Sequence, residues 1–138
     1  MQLNPYLTFQ GQCREAFEFY ARVLEGTVEG MFTFENTPMA EDVPADWRNK
    51  VMHASLRVND QLLMGSDAPP GSHEPMSGFS VSIQVAEPHE AERIFHALAE
   101  QGTVRMPIQE TFWALRFGMC VDRFGVPWMV NCDRPEAA

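Results

Sequence analysis

The chain has 138 residues, 45% hydrophobic and 21% charged, with 10 Lys+Arg against 19 Asp+Glu and a formal charge of −9. That composition is soluble and globular, and the length allows one small domain or two very small halves sharing a core. The acidic balance excludes a nucleic-acid partner, which needs a basic stripe, and an anionic membrane surface.

No long apolar run is present, and Met1-Gln2-Leu3-Asn4-Pro5 reads straight into structure rather than as a signal peptide. Cys13, Cys120 and Cys132 are odd in number and lack C-x-x-C spacing, so neither a disulfide framework nor a cysteine zinc site is expected. The expected location is therefore a reducing cytoplasm.

Taken in chain order, Asn4 to Phe9 predicts a first strand, with Leu7 and Phe9 on its apolar face. Ala16, Phe19, Tyr20, Val23 and Leu24 recur at helical spacing, and Gly26 is the expected helix stop. Strands follow at Thr27 to Phe34, Val51 to Val58 and Gln61 to Ser66, the last two joined by a hairpin turn at Asn59-Asp60. Between them, Glu35 to Lys50 reads as a long loop, either a lid or a solvated excursion. The Pro- and Gly-rich stretch from Asp67 to Gly78 reads as a linker.

The pattern then repeats. Phe79 to Val85 alternates as a strand, and Ala91, Ile94, Phe95, Leu98 and Ala99 mark a helix opened by Pro88 and stopped by Gly102. Strands at Thr103 to Gln109, Trp113 to Val121 and Val126 to Asn131 complete it, with a turn at Asp122-Arg123-Phe124-Gly125. The run Arg14-Glu15-Ala16-Phe17-Glu18-Phe19-Tyr20 resembles His89-Glu90-Ala91-Glu92-Arg93-Ile94-Phe95, so the chain reads as β-α-β-β-β twice. Expected boundaries are a first module at 1–68, a linker at 69–78, a second module at 79–133 and a tail at 134–138.

This doubled unit, with Phe19-Tyr20 on its first helix, resembles the vicinal-oxygen-chelate superfamily of glyoxalases, bleomycin- and fosfomycin-resistance proteins and extradiol dioxygenases. Asn4-Pro5-Tyr6-Leu7-Thr8-Phe9, Leu63-Met64-Gly65-Ser66-Asp67, Glu110-Thr111-Phe112-Trp113-Ala114-x-Arg116-Phe117-Gly118 and Asp122-Arg123-Phe124-Gly125-x-Pro127-Trp128 resemble its PhnB-like branch. The resemblance implies an α+β fold: two βαβββ modules whose curved mixed sheets surround a shared cleft. It also implies a homodimer, in some members with modules exchanged between chains.

Enzymes of the superfamily hold a divalent ion with His and Glu side chains on the first and last strands of each module. Carried over here, those positions fall on Asn4 or Tyr6, on Ser80, and on Met64 and Met129. Thioethers prefer soft metals, so no native metal and no cofactor are expected. His89 and His96 fall on the second helix and His73 in the linker, which leaves His53 as the one histidine on a strand.

Superposing the modules on their last two strands sets His53 opposite Arg116 and Met64 opposite Met129. The expected cleft is lined by Met64, Ser66, Ser80, Ser82, Gln84, Met129 and Asn131, with Tyr6 sharing the parity of the first strand. Arg116 would clamp an anionic group, or else pair structurally with Glu110 or Asp122. His53 would act as acid or base, or else be a satisfied strand residue. Phe112, Trp113, Phe117, Phe124 and Trp128 serve a core, a dimer interface or a stacking wall for a planar ligand, with Trp113 the candidate ligand contact.

The expected function is a metal-free small-molecule-binding protein of the glyoxalase/bleomycin-resistance type. The alternative is an isomerase, lyase or dioxygenase of the same scaffold, using His53 or an unconventional metal site. A ubiquinone-pathway methyltransferase, a label that similar sequences carry, has less support: no Gly-rich turn follows the first strand to hold a nucleotide-like methyl donor.

Overall fold

Strand alternation decides which side of each sheet meets a helix. The computed structural model describes residues 1–135; of the expected tail, 136–138 lie outside the described residues. The elements are β1 (Tyr6–Phe9), α1 (Cys13–Leu24), β2 (Thr27–Thr33), β3 (Val51–Val58), β4 (Gln61–Asp67), β5 (Val81–Gln84), α2 (Pro88–Ala99), β6 (Thr103–Gln109), β7 (Ala114–Val121) and β8 (Pro127–Asp133). Two compact units divide between Glu74 and Pro75. Each carries one helix and a four-stranded mixed sheet, ordered β1-β4-β3-β2 in the first and β5-β8-β7-β6 in the second. The fold is α+β, with the βαβββ order in both units.

In the first unit β1 runs parallel to β4, and β3 is antiparallel to both β4 and β2. Leu7, Phe9, Ala54, Leu56, Leu63 and Gly65 lie on the side facing α1, which buries Ala16, Phe17, Phe19, Tyr20 and Val23 against them. Burying side chains of this size contributes about 1.5–3 kcal/mol each. Phe17 meets Phe9 edge-on, with ring centroids 6.2 Å apart. The second unit repeats this: Trp128, Val130, Cys120 and Ala114 are buried on the side of α2, with Ala91, Ile94, Phe95 and Leu98.

Pro88 opens α2 as expected. The helix stops are corrected. Glu25, not Gly26, takes the left-handed conformation (φ 54°) after α1, and Gln101 does so (φ 61°) after α2. Gly26 and Gly102 serve close approach instead. A Cβ on Gly26 would lie 2.7 Å from the Arg57 carbonyl oxygen, and one on Gly102 2.2 Å from that of Val121. Each glycine lets the chain leave its helix directly against the third strand of its own sheet.

Strand ends shift slightly. Asn4, Pro5, Phe79, Ser80, Trp113 and Val126 fall outside the strands, whereas β4 extends to Asp67 and β8 to Asp133. The Glu35 to Lys50 loop contains two short 3-10 turns, Ala40–Asp42 and Ala45–Trp47.

The β7–β8 turn is one residue shorter than its sequence suggests. Asp122 still belongs to the ladder, its N–H donating to the Val126 carbonyl at 2.9 Å, so only Arg123 to Gly125 turn. Gly125 has φ 92°, as such turns require. The Asp122 carboxylate fixes this geometry by accepting from the Phe124 and Val126 N–H groups at 2.9 Å and from the Trp128 indole at 2.8 Å.

Candidate functional site on the open sheet faces

The face of each sheet turned away from its own helix is where polar side chains gather. In the first unit the register pairs Tyr6 with Met64, Met64 with Ser55, and His53 with Phe32. Paired residues point the same way, so these side chains share the open face with Ser66 and Thr8. The Tyr6 hydroxyl lies 3.0 Å from His53 Nδ1, and the rings are 5.6 Å apart. Tyr6 is 47% exposed. At the far end of this face, Arg57 and Glu29 form an ion pair. Its hydrogen bond holds the Glu29 carboxyl below the usual range and the Arg57 guanidinium above its own.

In the second unit Ser82 pairs with Met129 and Gln84 with Asn131, while Met119 faces Met129 and Phe117 faces Asn131. These six share the open face of that sheet, and Ser80 precedes β5 at the same parity. The Asn131 side-chain N–H₂ donates to Gln84 Oε1 at 2.8 Å and to Asp133 Oδ1 at 2.6 Å. Asn131 is buried, and its Oδ1 has no hydrogen-bond partner among the described residues.

Arg116 is not among them, which corrects the expected cleft lining. It pairs with Cys132 across β7–β8, on the α2 side, and donates through Nε to Glu92 Oε1 on α2 at 2.8 Å. This hydrogen bond holds the Glu92 carboxyl below its usual range and raises the Arg116 guanidinium. Of its two structural partners expected from sequence, Glu110 instead accepts from Arg134, and Asp122 binds its own turn. The physical reason is the turn. Counting four turn residues instead of three slips β7 by one position, and a one-residue slip exchanges the faces of every side chain. Phe117, not Arg116, is the counterpart of His53.

Trp113 stands just before β7, stacking edge-on with Phe112 and Phe117 at centroid distances of 4.8 and 5.4 Å. Phe112 is 89% exposed. On the Glu35–Lys50 loop, Glu35, Ala45, Asp46, Arg48 and Asn49 line a shallow depression of about 490 Å³.

Sequence reasoning missed Asp67. It is buried at the end of β4, where Oδ1 accepts from the Gly11 and Cys13 N–H groups at 2.9 and 3.0 Å and Oδ2 from Val51 N–H at 2.9 Å. The signal was parity: extending Leu63 and Gly65 by one more step puts a carboxylate on the helix side. The three cysteines are free and buried. Burial, then the nearby Asp122, pushes the Cys120 thiol up to about 11. Burial, then Asp67, raises Cys13 further.

Comparisons with known proteins bear on this arrangement. The sequence model of the 3-demethylubiquinone-9 3-methyltransferase family matches residues 1–131. The protein YjdN of Escherichia coli K12 is 37% identical, over 99% of this chain and 98% of its own. Protein PA1353 of Pseudomonas aeruginosa has a crystal structure with TM-score 0.89 at 51% identity, covering 98% of this chain and 99% of that one. The PhnB protein of Bacillus cereus superposes with TM-score 0.78 at 24% identity, covering 96% and 99%. A glyoxylase/bleomycin resistance protein/dioxygenase domain from Frankia shares the fold alone, with TM-score 0.65 at 13% identity over 97% and 98%.

The chain belongs to the family described by the 3-demethylubiquinone-9 3-methyltransferase model.

Two groups, a divalent ion implied by the resemblance and a methyl donor implied by the family description, can be tested against the residues. The divalent ion of the superfamily that the sequence resembles does not fit: the carried-over positions are Tyr6, Met64, Ser80 just before β5, and Met129, a phenol, two thioethers and a hydroxyl. Among the described residues, no three His, Cys, Asp or Glu side chains are placed to hold a metal ion. A nucleotide-type methyl donor does not fit the β1–α1 turn of this chain either. The N–H groups of Gly11 and Cys13, which would cradle an anionic or carboxylate group there, already bind Asp67.

Proposed function

We propose that the protein binds a small, partly apolar organic molecule on an open sheet face; the first unit offers Tyr6, His53, Met64 and Ser66 as ligand contacts, and the open face of the second unit, taken by itself, offers Ser80, Ser82 and Met129. The observation that carries this reading is the Tyr6–His53 hydrogen bond at 3.0 Å, set beside Met64 and Phe32 on one face. A few convergent polar groups among apolar ones are the usual make-up of a small-molecule site. Met64, Met119 and Met129 add polarizable, adaptable surface. Arg116 is left out because Glu92 engages it.

The test is a thermal-shift screen of small carboxylic acids, carbonyl compounds and phenols. Compounds that raise Tm in the wild type should lose their effect in Met64→Arg or in Met129→Arg, according to which face binds them, at unchanged circular dichroism. Compounds whose effect persists in both variants would place the site elsewhere.

A second reading, an isomerase or lyase with His53 as acid or base, draws on the same hydrogen bond, since an oriented imidazole is what proton transfer needs. Mass spectrometric turnover of a bound compound, lost in His53→Ala, selects it. The family description adds methyl transfer as a weaker reading, which turnover with a methyl donor would reveal.

The proposal includes a homodimer in a reducing cytoplasm. Exposed Phe112 and Trp113 and three unpaired thiols support this. Among the described residues, no helix is long and apolar enough to cross a membrane.

A further inference from the structure

Tyr6 and His53 come from strands separated by β4, and among the described residues Tyr6 Oη and His53 Nδ1 hydrogen-bond only to each other, at 3.0 Å. The direction of that bond decides what the imidazole can offer. A phenol O–H is a good donor and its oxygen a weak acceptor, whereas the lone pair of a neutral imidazole nitrogen is a strong acceptor. The favoured arrangement is Tyr6 O–H donating to Nδ1. A neutral imidazole carries one proton, so that bond leaves it on Nε2. His53 Nε2 makes no hydrogen bond of its own within the described residues.

We propose that Tyr6 is a positioning residue that locks His53 in the Nε2–H tautomer, making His53 a directed donor for an acceptor oxygen of the ligand. This rests on the open-face reading of function and narrows its ligand class. The class is an aromatic or alicyclic molecule bearing a carbonyl, carboxylate or phenolate oxygen, whose apolar body lies along Phe32 and Met64, the register neighbours of His53 and Tyr6. Groups that only donate have no partner at Nε2–H.

The experiment is 15N NMR of the His53 ring at about pH 8.5, above the ordinary imidazole range, in wild type, Tyr6→Phe and His53→Gln. The probes are benzoate, which only accepts, and benzylammonium, which only donates. In wild type, Nδ1 should give a pyridine-type and Nε2 a pyrrole-type signal. Tyr6→Phe should move both toward the averaged shifts of exchanging tautomers. Benzoate should shift Nε2, and its binding should weaken about fivefold in Tyr6→Phe and more in His53→Gln, the size of one or two lost hydrogen bonds. Benzylammonium should leave Nε2 unmoved.

A protonated Nδ1 in wild type, or a tautomer unchanged in Tyr6→Phe, overturns the proposal. So does benzoate that leaves the His53 nitrogens unmoved. If benzoate shifts the Met64 methyl and the Ser66 amide but not His53, this inference fails and the open-face reading stands. If it shifts only residues of the helix side, both fail.

Discussion

Asp67 shows how one side chain can close a unit. Its carboxylate gathers the N–H groups that start α1 and β3 and lies at the end of β4, so three elements meet at one residue. Asn has a single acceptor oxygen, which can serve Gly11 and Cys13, but its N–H₂ would then face the Val51 N–H, donor against donor. Asp67→Asn should therefore lose about 1–3 kcal/mol in urea unfolding, the usual cost of a buried donor left without its partner; an unchanged midpoint would contradict this role. The thiols give a second outcome at this scale. Because burial raises Cys13 and Cys120, a disulfide reagent at mildly alkaline pH should find no fast-reacting thiol in the native protein and three after denaturation. The folded thiol of Cys120 stays neutral up to about 11, so it contributes stability that is present below its ordinary 9.0 and is lost as the pH rises between the two. A fast thiol at native conditions would show that the core around these residues opens.

Element by element, alternation in the sequence was enough to place all eight strands and both helices, because one buried face imposes a period. The ends were harder: Asp67 was missed by stopping β4 one residue early, and Arg116 was misplaced by counting the β7–β8 turn one residue too long. Large apolar side chains misled as well. Phe117, with core packing among its expected uses, faces away from the helix, and Ala114, Gly118 and Cys120 occupy the α2 side of β7 beside Arg116, because the helix packs close. A Cβ on Gly118 would lie 2.8 Å from the Phe95 ring, and Ala114 is fully buried. The Arg116 assignment is testable on its own. Arg116 and Glu92 are 33% and 43% exposed, so Arg116→Ala should leave the unfolding midpoint nearly unchanged and ligand affinity unchanged. The depressed Glu92 carboxyl makes its small contribution at neutral pH and loses it as the pH falls through the carboxylate range, so the variant should show a slightly flatter acid limb. A loss of affinity in Arg116→Ala would return this side chain to the site.

For the whole molecule, the net charge of −9 has little to do with the candidate site. Asp67 and Asp122 are buried structural acceptors, and Glu29, Glu90, Glu92 and Glu110 are tied to Arg57, Arg93, Arg116 and Arg134. Apart from the Arg57–Glu29 pair at the end of one face and Asp133 beside Asn131 on the other, the open faces carry phenol, imidazole, hydroxyl, amide and thioether groups, a make-up that was legible in the sequence except for Arg116 and that suits binding an organic ligand better than holding a divalent ion. The hydrogen bond between Tyr6 and His53 was not legible, because it joins two strands across a third. The most direct test is amide and methyl NMR mapping of any compound that raises Tm in the wild type. Perturbations centred on Tyr6, His53, Met64 and Ser66 in the first unit, or on Ser82 and Met129 in the second, are the expected result. Perturbations confined to α1, α2 or the Glu35–Lys50 loop would contradict it.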